Sequence, residues 1–157
     1  DLKTMDAGEY EAEPFYKAGA DICTVLGASG IATIKGVIAA AKKYGKECLV
    51  DMINVDDKES LAKEAVAAGA DIIGVHTGLD AQAAGHTPFA DLAAIAALNT
   101  GAKISVAGGV KAATAQEVKD AGAAIIVAGA AIYGAADPAA AASEMILPFL
   151  LMSHQVT

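Results

Sequence analysis

Three charged residues open the chain at a spacing that could do chemistry: Asp1, Lys3 and Asp6 in the run Asp1-Leu2-Lys3-Thr4-Met5-Asp6. On a strand, the two-residue period would place Asp1 and Lys3 on one face, with Asp6 in the following turn. A lysine held beside carboxylates stays protonated, so it can donate a proton or stabilise an oxyanion. A spare carboxylate can bind a cation or the substrate. The same six residues would also suit a solvated tail of mixed charge.

Two more titratable residues sit inside apolar runs. Asp51 interrupts Leu49-Val50-Asp51-Met52-Ile53, and a buried carboxylate costs several kcal/mol unless it is paired. A lysine or metal partner is therefore expected, with Lys3 the candidate. His76 closes Ile72-Ile73-Gly74-Val75-His76 beside Thr77-Gly78 and Asp80. A lone histidine there is commonly a core residue, but at the strand end of a barrel it becomes an acid/base candidate. His86, in a polar loop, and His154, near the end, carry no such implication.

The glycines suggest an anion site. Ala107-Gly108-Gly109 and then Gly129 follow two consecutive strand-like runs. Backbone N–H groups at such turns can approach a phosphate, the usual arrangement after the last two strands of a (β/α)₈ barrel. Tight strand-to-helix turns alone would use the same residues.

The elements that must position these groups repeat one unit: an Ala-rich helix ending at Gly, then a short β-branched run. Gly19, Gly45, Gly69, Gly101 and Gly122 mark the helix stops. The strand runs are 21–26, 47–53, 71–76, 103–107 and 124–128, nearly continuous in apolar character as parallel strands are. Helices are expected near 7–18, 31–44, 57–68, 90–99, 111–121 and 137–147, with Asp57 an N-cap and Asp137-Pro138 opening the last. Alternating βα units mean a parallel sheet, either doubly wound or a barrel. No G-x-G-x-x-G turn follows the first strand. The polar residues, Asp1, Lys3, Asp6, Thr24, Asp51, Asn54, His76, Thr77 and Asp80, collect at successive strand ends. The expectation is an α/β chain of the (β/α)₈ TIM-barrel type.

Composition excludes other classes. A net charge of −8 offers no basic field for nucleic acid or anionic membrane. With 55% hydrophobic residues, only 4% aromatic and no Trp, the core must be aliphatic. No apolar run reaches the ~18 residues of a membrane span and no basic-then-apolar leader opens the chain. Cys23 and Cys48 lie in apolar runs and are expected to be buried thiols in a reducing, cytoplasmic setting rather than a disulfide or zinc site.

At this point the motifs become familiar. Asp1-Leu2-Lys3-Thr4-Met5-Asp6 resembles the D-x-K-x-x-D motif of the orotidine 5′-monophosphate decarboxylase suprafamily. With Val75-His76-Thr77-Gly78-Leu79-Asp80-Ala81-Gln82-Ala83-Ala84-Gly85 and Val106-Ala107-Gly108-Gly109-Val110, the wording is similar to its 3-hexulose-6-phosphate synthase family, over about residues 1–145. The resemblance implies a magnesium-dependent aldol reaction joining formaldehyde to ribulose 5-phosphate through an enediolate. It implies Asp1 on Mg2+, Lys3 in electrophilic or proton-transfer work, and Asp51 positioning Lys3 or substrate. His76 would be acid or base, and Gly108, Gly109, Gly129 and Ala130 would bind phosphate. It further implies a homodimer in which Asp6 reaches the neighbouring site. The sister branch acting on 3-keto-L-gulonate 6-phosphate has an Arg shortly after the His, where Leu79 and its neighbours supply none. Decarboxylation of orotidine 5′-phosphate is the more distant alternative.

Two departures qualify the resemblance. The family's first two βα units and most of its third strand have no counterpart, so residues 1–146 are expected to form a partial barrel. The run 147–157 does not resemble the family, and Pro148 is expected to break the last helix. A five-stranded arc would leave two exposed parallel edges. The chain alone is expected to bind sugar phosphate weakly and turn over poorly, and a non-catalytic phosphate-binding domain is the alternative.

Overall fold

The β-branched runs become five strands, β1 (Ile22–Leu26), β2 (Glu47–Asp51), β3 (Ile72–His76), β4 (Lys103–Ala107) and β5 (Ile125–Val127). They come from a computed structural model that describes residues 1–150. The helices are α1 (Gly8–Lys17), α2 (Ile31–Tyr44), α3 (Lys58–Ala68), α4 (Leu79–Ala83), α5 (Phe89–Ala97), α6 (Ala112–Asp120), α7 (Ala130–Tyr133) and α8 (Pro138–Leu150). All strand pairs are parallel and run β1-β2-β3-β4-β5 in sequence order. A doubly wound sheet would reverse its order at a switch point. Strictly sequential order is the barrel arrangement, as expected.

One row of register crosses the whole sheet: Leu26, Asp51, Gly74, Ser105 and Ile125 stand side by side. Residues two apart share a face, so the strands sort into two sets. Cys23, Val25, Cys48, Val50, Ile73, Val75, Ile104 and Val106 point into the core cluster that the helices cover. Thr24, Leu49, Asp51, His76, Ser105 and Ala107 have the opposite parity and line a cavity. Both cysteines are free and buried, as expected.

Local chemistry sets the helix ends. The Asp57 carboxylate accepts from Ser60 N–H at 3.0 Å, and Asp137 accepts from Ala140 N–H at 3.0 Å. Gly45 and Gly69 close α2 and α3 in the left-handed conformation.

Three features depart from expectation. Residues 1–3 form no strand: Thr4 makes an isolated parallel bridge to Val25, and Lys3 has φ 49°. The turns after β3 and β5 hold the short helices α4 and α7, which are too brief to show a helical period. Pro148 does not break α8, which runs on to Leu150. The missing N–H of Pro148 affects only the last turn, and its carbonyl accepts the Lys119 ammonium from α6. The rest of the expected tail, 151–157, lies outside the described residues. No helix among the described residues is long and apolar enough to cross a membrane.

Candidate active site

Asp51 and His76 end β2 and β3 on the cavity face. The side chain of His76 places Nδ1 2.9 and 3.1 Å from the two carboxylate oxygens of Asp51. A carboxylate only accepts, so Nδ1 carries the proton whenever Asp51 is ionised. Nε2, without a protein partner among the described residues, is left to act on a ligand. Asp51 is 5% exposed and also accepts from Ile53 N–H at 2.9 Å. Burial pushes its pKa up. The hydrogen bonds from His76 and Ile53, with the charges of His76 and Lys3, outweigh burial and leave it below the usual carboxylate value. Asp51 is thus an anion at neutral pH.

Lys3 joins this pair to Asp1. Its ammonium is 2.5 Å from Asp1 Oδ2 and 3.5 Å from Asp51 Oδ2. The expected Lys3–Asp51 partnership is present, but Asp1 is the closer partner. Thr24 of β1 fixes the arrangement: its hydroxyl donates to Asp1 Oδ1 at 2.7 Å and accepts from Lys3 N–H at 2.9 Å. Those two bonds hold the left-handed Lys3 backbone that brings both side chains inward. Asp6 does not join them within one chain. It is exposed, accepts from Ala7 N–H at 2.8 Å, and does not line the cavity.

Gly108, Gly109, Gly129 and Ala130 line the same cavity from the β4 and β5 side. Among the described residues their amide N–H groups donate to no backbone acceptor. Gly108 has φ 97°, and a Cβ there would run into the Thr77 carbonyl oxygen, so both backbone conformation and space demand glycine. Gln82 of α4 donates to that same carbonyl at 2.7 Å, bracing the segment after β3 against which Gly108 packs. The cavity measures about 750 Å³, within the range of small-molecule sites. Leu79 and Tyr133, 80% and 77% exposed, stand at its edge.

Sequence reasoning placed Thr24 at a strand end without a role and noted Gln82 only as part of a motif. Ser105 was not singled out. Its signal is a hydroxyl of cavity-facing parity inside the apolar run 103–107. As for a metal, no group of three or more His, Cys, Asp or Glu side chains converges among the described residues. The hard carboxylate oxygens of Asp1 nonetheless suit Mg2+, which commonly takes one or two carboxylates and fills its sphere with water and substrate oxygens. A cation there would share Asp1 with Lys3.

Residues 1–145 match the model of the orotidine 5′-phosphate decarboxylase / HUMPS family. The chain belongs to that family. It is 72% identical over 145 residues to a 3-hexulose-6-phosphate synthase from Methylomonas aminofaciens, covering 92% of this chain and 69% of the relative. It is 51% identical over 147 residues to a 3-hexulose-6-phosphate synthase from Mycobacterium gastri, covering 92% and 70%. Among solved structures it is similar to 3-hexulose-6-phosphate synthase from Salmonella typhimurium. The TM-score is 0.90 at 42% identity, covering 95% of this chain and 71% of that one. This orotidine 5′-phosphate decarboxylase / HUMPS member therefore comes from an enzyme family, on its 3-hexulose-6-phosphate synthase branch, and has the fold of a TIM barrel of which it spans about 70%.

Proposed function

We propose that the chain carries the catalytic side of a cytoplasmic 3-hexulose-6-phosphate synthase, condensing formaldehyde with ribulose 5-phosphate. One observation carries the reading: Asp1, Lys3, Asp51 and His76 form an unbroken series of contacts lining the cavity that Gly108, Gly109 and Gly129 also line. The amides of those glycines and of Ala130 would hold the phosphate, so binding remote from the reacting carbon positions the chain. With Nδ1–H donated to Asp51, His76 Nε2 is the base that takes the proton beside the sugar carbonyl. Asp51 stabilises the imidazolium that results. The Lys3 ammonium stabilises the enediolate oxygen and can return a proton to the product alkoxide. Mg2+, held by Asp1, would supply further electrostatic stabilisation of that oxygen charge. Asp6 faces outward, as a residue serving a second copy in a homodimer would. Leu79, in place of a cation after His76, favours the synthase over a 3-keto-L-gulonate 6-phosphate decarboxylase.

The test is formaldehyde consumption with ribulose 5-phosphate, with Mg2+ or EDTA. It is run on this chain alone and together with a separately expressed N-terminal segment from a full-length relative. The described sheet has open edges at β1 and β5, so the chain alone should turn over well below the usual ~1–10³ s⁻¹. Consumption that requires Mg2+ and rises on complementation supports the reading. No consumption in either mixture by a folded chain would leave a non-catalytic phosphate-binding domain, the reading that the open β5 edge favours.

A further inference from the structure

β4 alternates in the sheet's two-residue period: Ile104 and Val106 enter the core, while Ser105 and Ala107 face the cavity. Ser105 is 3% exposed, yet its hydroxyl makes no hydrogen bond to the protein among the described residues. Nor is that hydroxyl sealed off, a condition Thr4 alone shows among the described side chains. It opens into the cavity. The neighbouring polar groups on this face are engaged, buried Asp51 with His76 and half-buried Thr24 with Asp1 and Lys3. A buried hydroxyl is unfavourable unless it is bonded, and serine adds nothing to a strand interior that alanine would not. The hydroxyl is therefore free to hydrogen-bond a ligand that enters the cavity.

Its place defines which part of a ligand it meets. Ser105 pairs with Gly74, one step deeper than the His76–Ala107 pair. Gly74 has no side chain of its own, and the Leu49 side chain from β2 reaches over it. Three residue steps lead from Ser105 to Gly108, about 10 Å along a strand, a distance suited to an extended five-carbon chain and a hydrogen bond. We propose that Ser105 is a specificity-determining residue whose hydroxyl hydrogen-bonds an oxygen of the sugar phosphate's carbon chain at the cavity floor. The phosphate is held above it, at the glycine loops. This rests on the sugar-phosphate reading given above.

The test compares Ser105→Ala and the near-isosteric Ser105→Cys with wild type, titrating ribulose 5-phosphate and inorganic phosphate by calorimetry alongside the formaldehyde assay. Both variants should bind ribulose 5-phosphate about 3–10-fold more weakly, the scale of one neutral hydrogen bond. Inorganic phosphate should bind as in wild type. Three results would overturn the proposal: unchanged sugar-phosphate affinity, an equal loss for inorganic phosphate, or recovery in Ser105→Cys, which would mark a packing role. A wild type that binds ribulose 5-phosphate no better than phosphate overturns it too. Should Ser105→Ala lose its fold, Ser105→Cys carries the comparison alone. The two readings separate cleanly. Ser105-dependent sugar-phosphate binding with no formaldehyde consumption by the chain either alone or complemented keeps this proposal and sinks the synthase. Consumption with Ser105-independent binding does the reverse.

Discussion

Asp51→Asn separates what the buried carboxylate does for stability from what it does for chemistry. At neutral pH the wild-type carboxylate accepts from His76 at 2.9 Å and from Ile53 N–H at 2.9 Å, with Lys3 at 3.5 Å. The His76 bond to an ionised group is worth about 1.5–3 kcal/mol. The Lys3 side chain is 39% exposed, so solvent screening holds its share below ~1 kcal/mol. Against these, an amide is cheaper to bury than a carboxylate and still accepts from Ile53. The net loss at pH 7 should be about 1–2 kcal/mol. That is a melting temperature lower by about 2–8 °C at this size. Formaldehyde consumption should fall about 10²–10⁴-fold, the contribution of an oriented acid/base group. The pH dependence gives an internal check. The Asp51 pKa is depressed in the folded chain, so its stabilisation is complete above the unfolded value of about 3.9 and is lost as pH falls through the lower folded value. Urea unfolding should therefore show a wild-type advantage that is level from pH 8 to about 5 and shrinks towards zero below about 4. An advantage that persists undiminished into strong acid, or a folded variant with near-wild-type turnover, would refute the reasoning.

Other perturbations address the neighbouring supports. Thr24→Val removes the hydroxyl that bridges Asp1 and Lys3 N–H. It should lower stability by about 1 kcal/mol and raise the Mg2+ concentration needed for half-maximal activity, and an unchanged Mg2+ dependence would remove Thr24 from its positioning role. Gly108→Ala drives a Cβ into the Thr77 carbonyl at φ 97°. It should cost at least ~1–3 kcal/mol and weaken inorganic phosphate binding, which calorimetry and thermal melts would measure. Burial pushes the Cys48 thiol up to about 12 and raises Cys23 as well. Both should therefore resist a thiol-specific disulfide reagent at pH 8 until guanidinium unfolds the chain, and rapid labelling of the native protein would contradict the packing described.

Legibility tracked the range of the interaction. Strand positions, helix stops and the Asp57 cap are written in a few adjacent residues, so they could be read directly. That Asp51 needs a partner could be read from its place in an apolar run, and Lys3 was the partner expected; His76 emerges only from the parallel register, which sets the ends of β2 and β3 side by side. The N-terminal turn could not. Period-two reasoning brought Asp1 and Lys3 together on a strand, whereas the contact is made through a left-handed Lys3 held by Thr24, more than twenty residues away in sequence. Pro148 misled for a related reason: its rule concerns one missing N–H bond, which α8 accommodates while continuing to Leu150. Ser105 was overlooked because a serine among aliphatics carries no weight until register shows which way it faces.

The two halves of the site depend on the sheet unequally. The acid/base series crosses from the N-terminal turn to β1, β2 and β3, and each link is a direct contact between neighbouring elements. β2 and β3 are interior strands, and β1 is covered at one point by the Thr4 bridge. The phosphate side rests on β4 and β5. β5 has three residues, forms an edge among the described strands, and leaves Val127 52% exposed. Interior strands resist local opening more than edges do, so the groups that move protons are held more firmly than the amides that would hold the phosphate. Phosphate binding positions the carbon chain for proton transfer. A loosened β5 would thus impair turnover while leaving the Asp51–His76 pair intact. Slow catalysis by this chain, if traced to weak sugar-phosphate binding and relieved at high substrate concentration, would locate the deficit at the sheet's edge rather than in the catalytic residues.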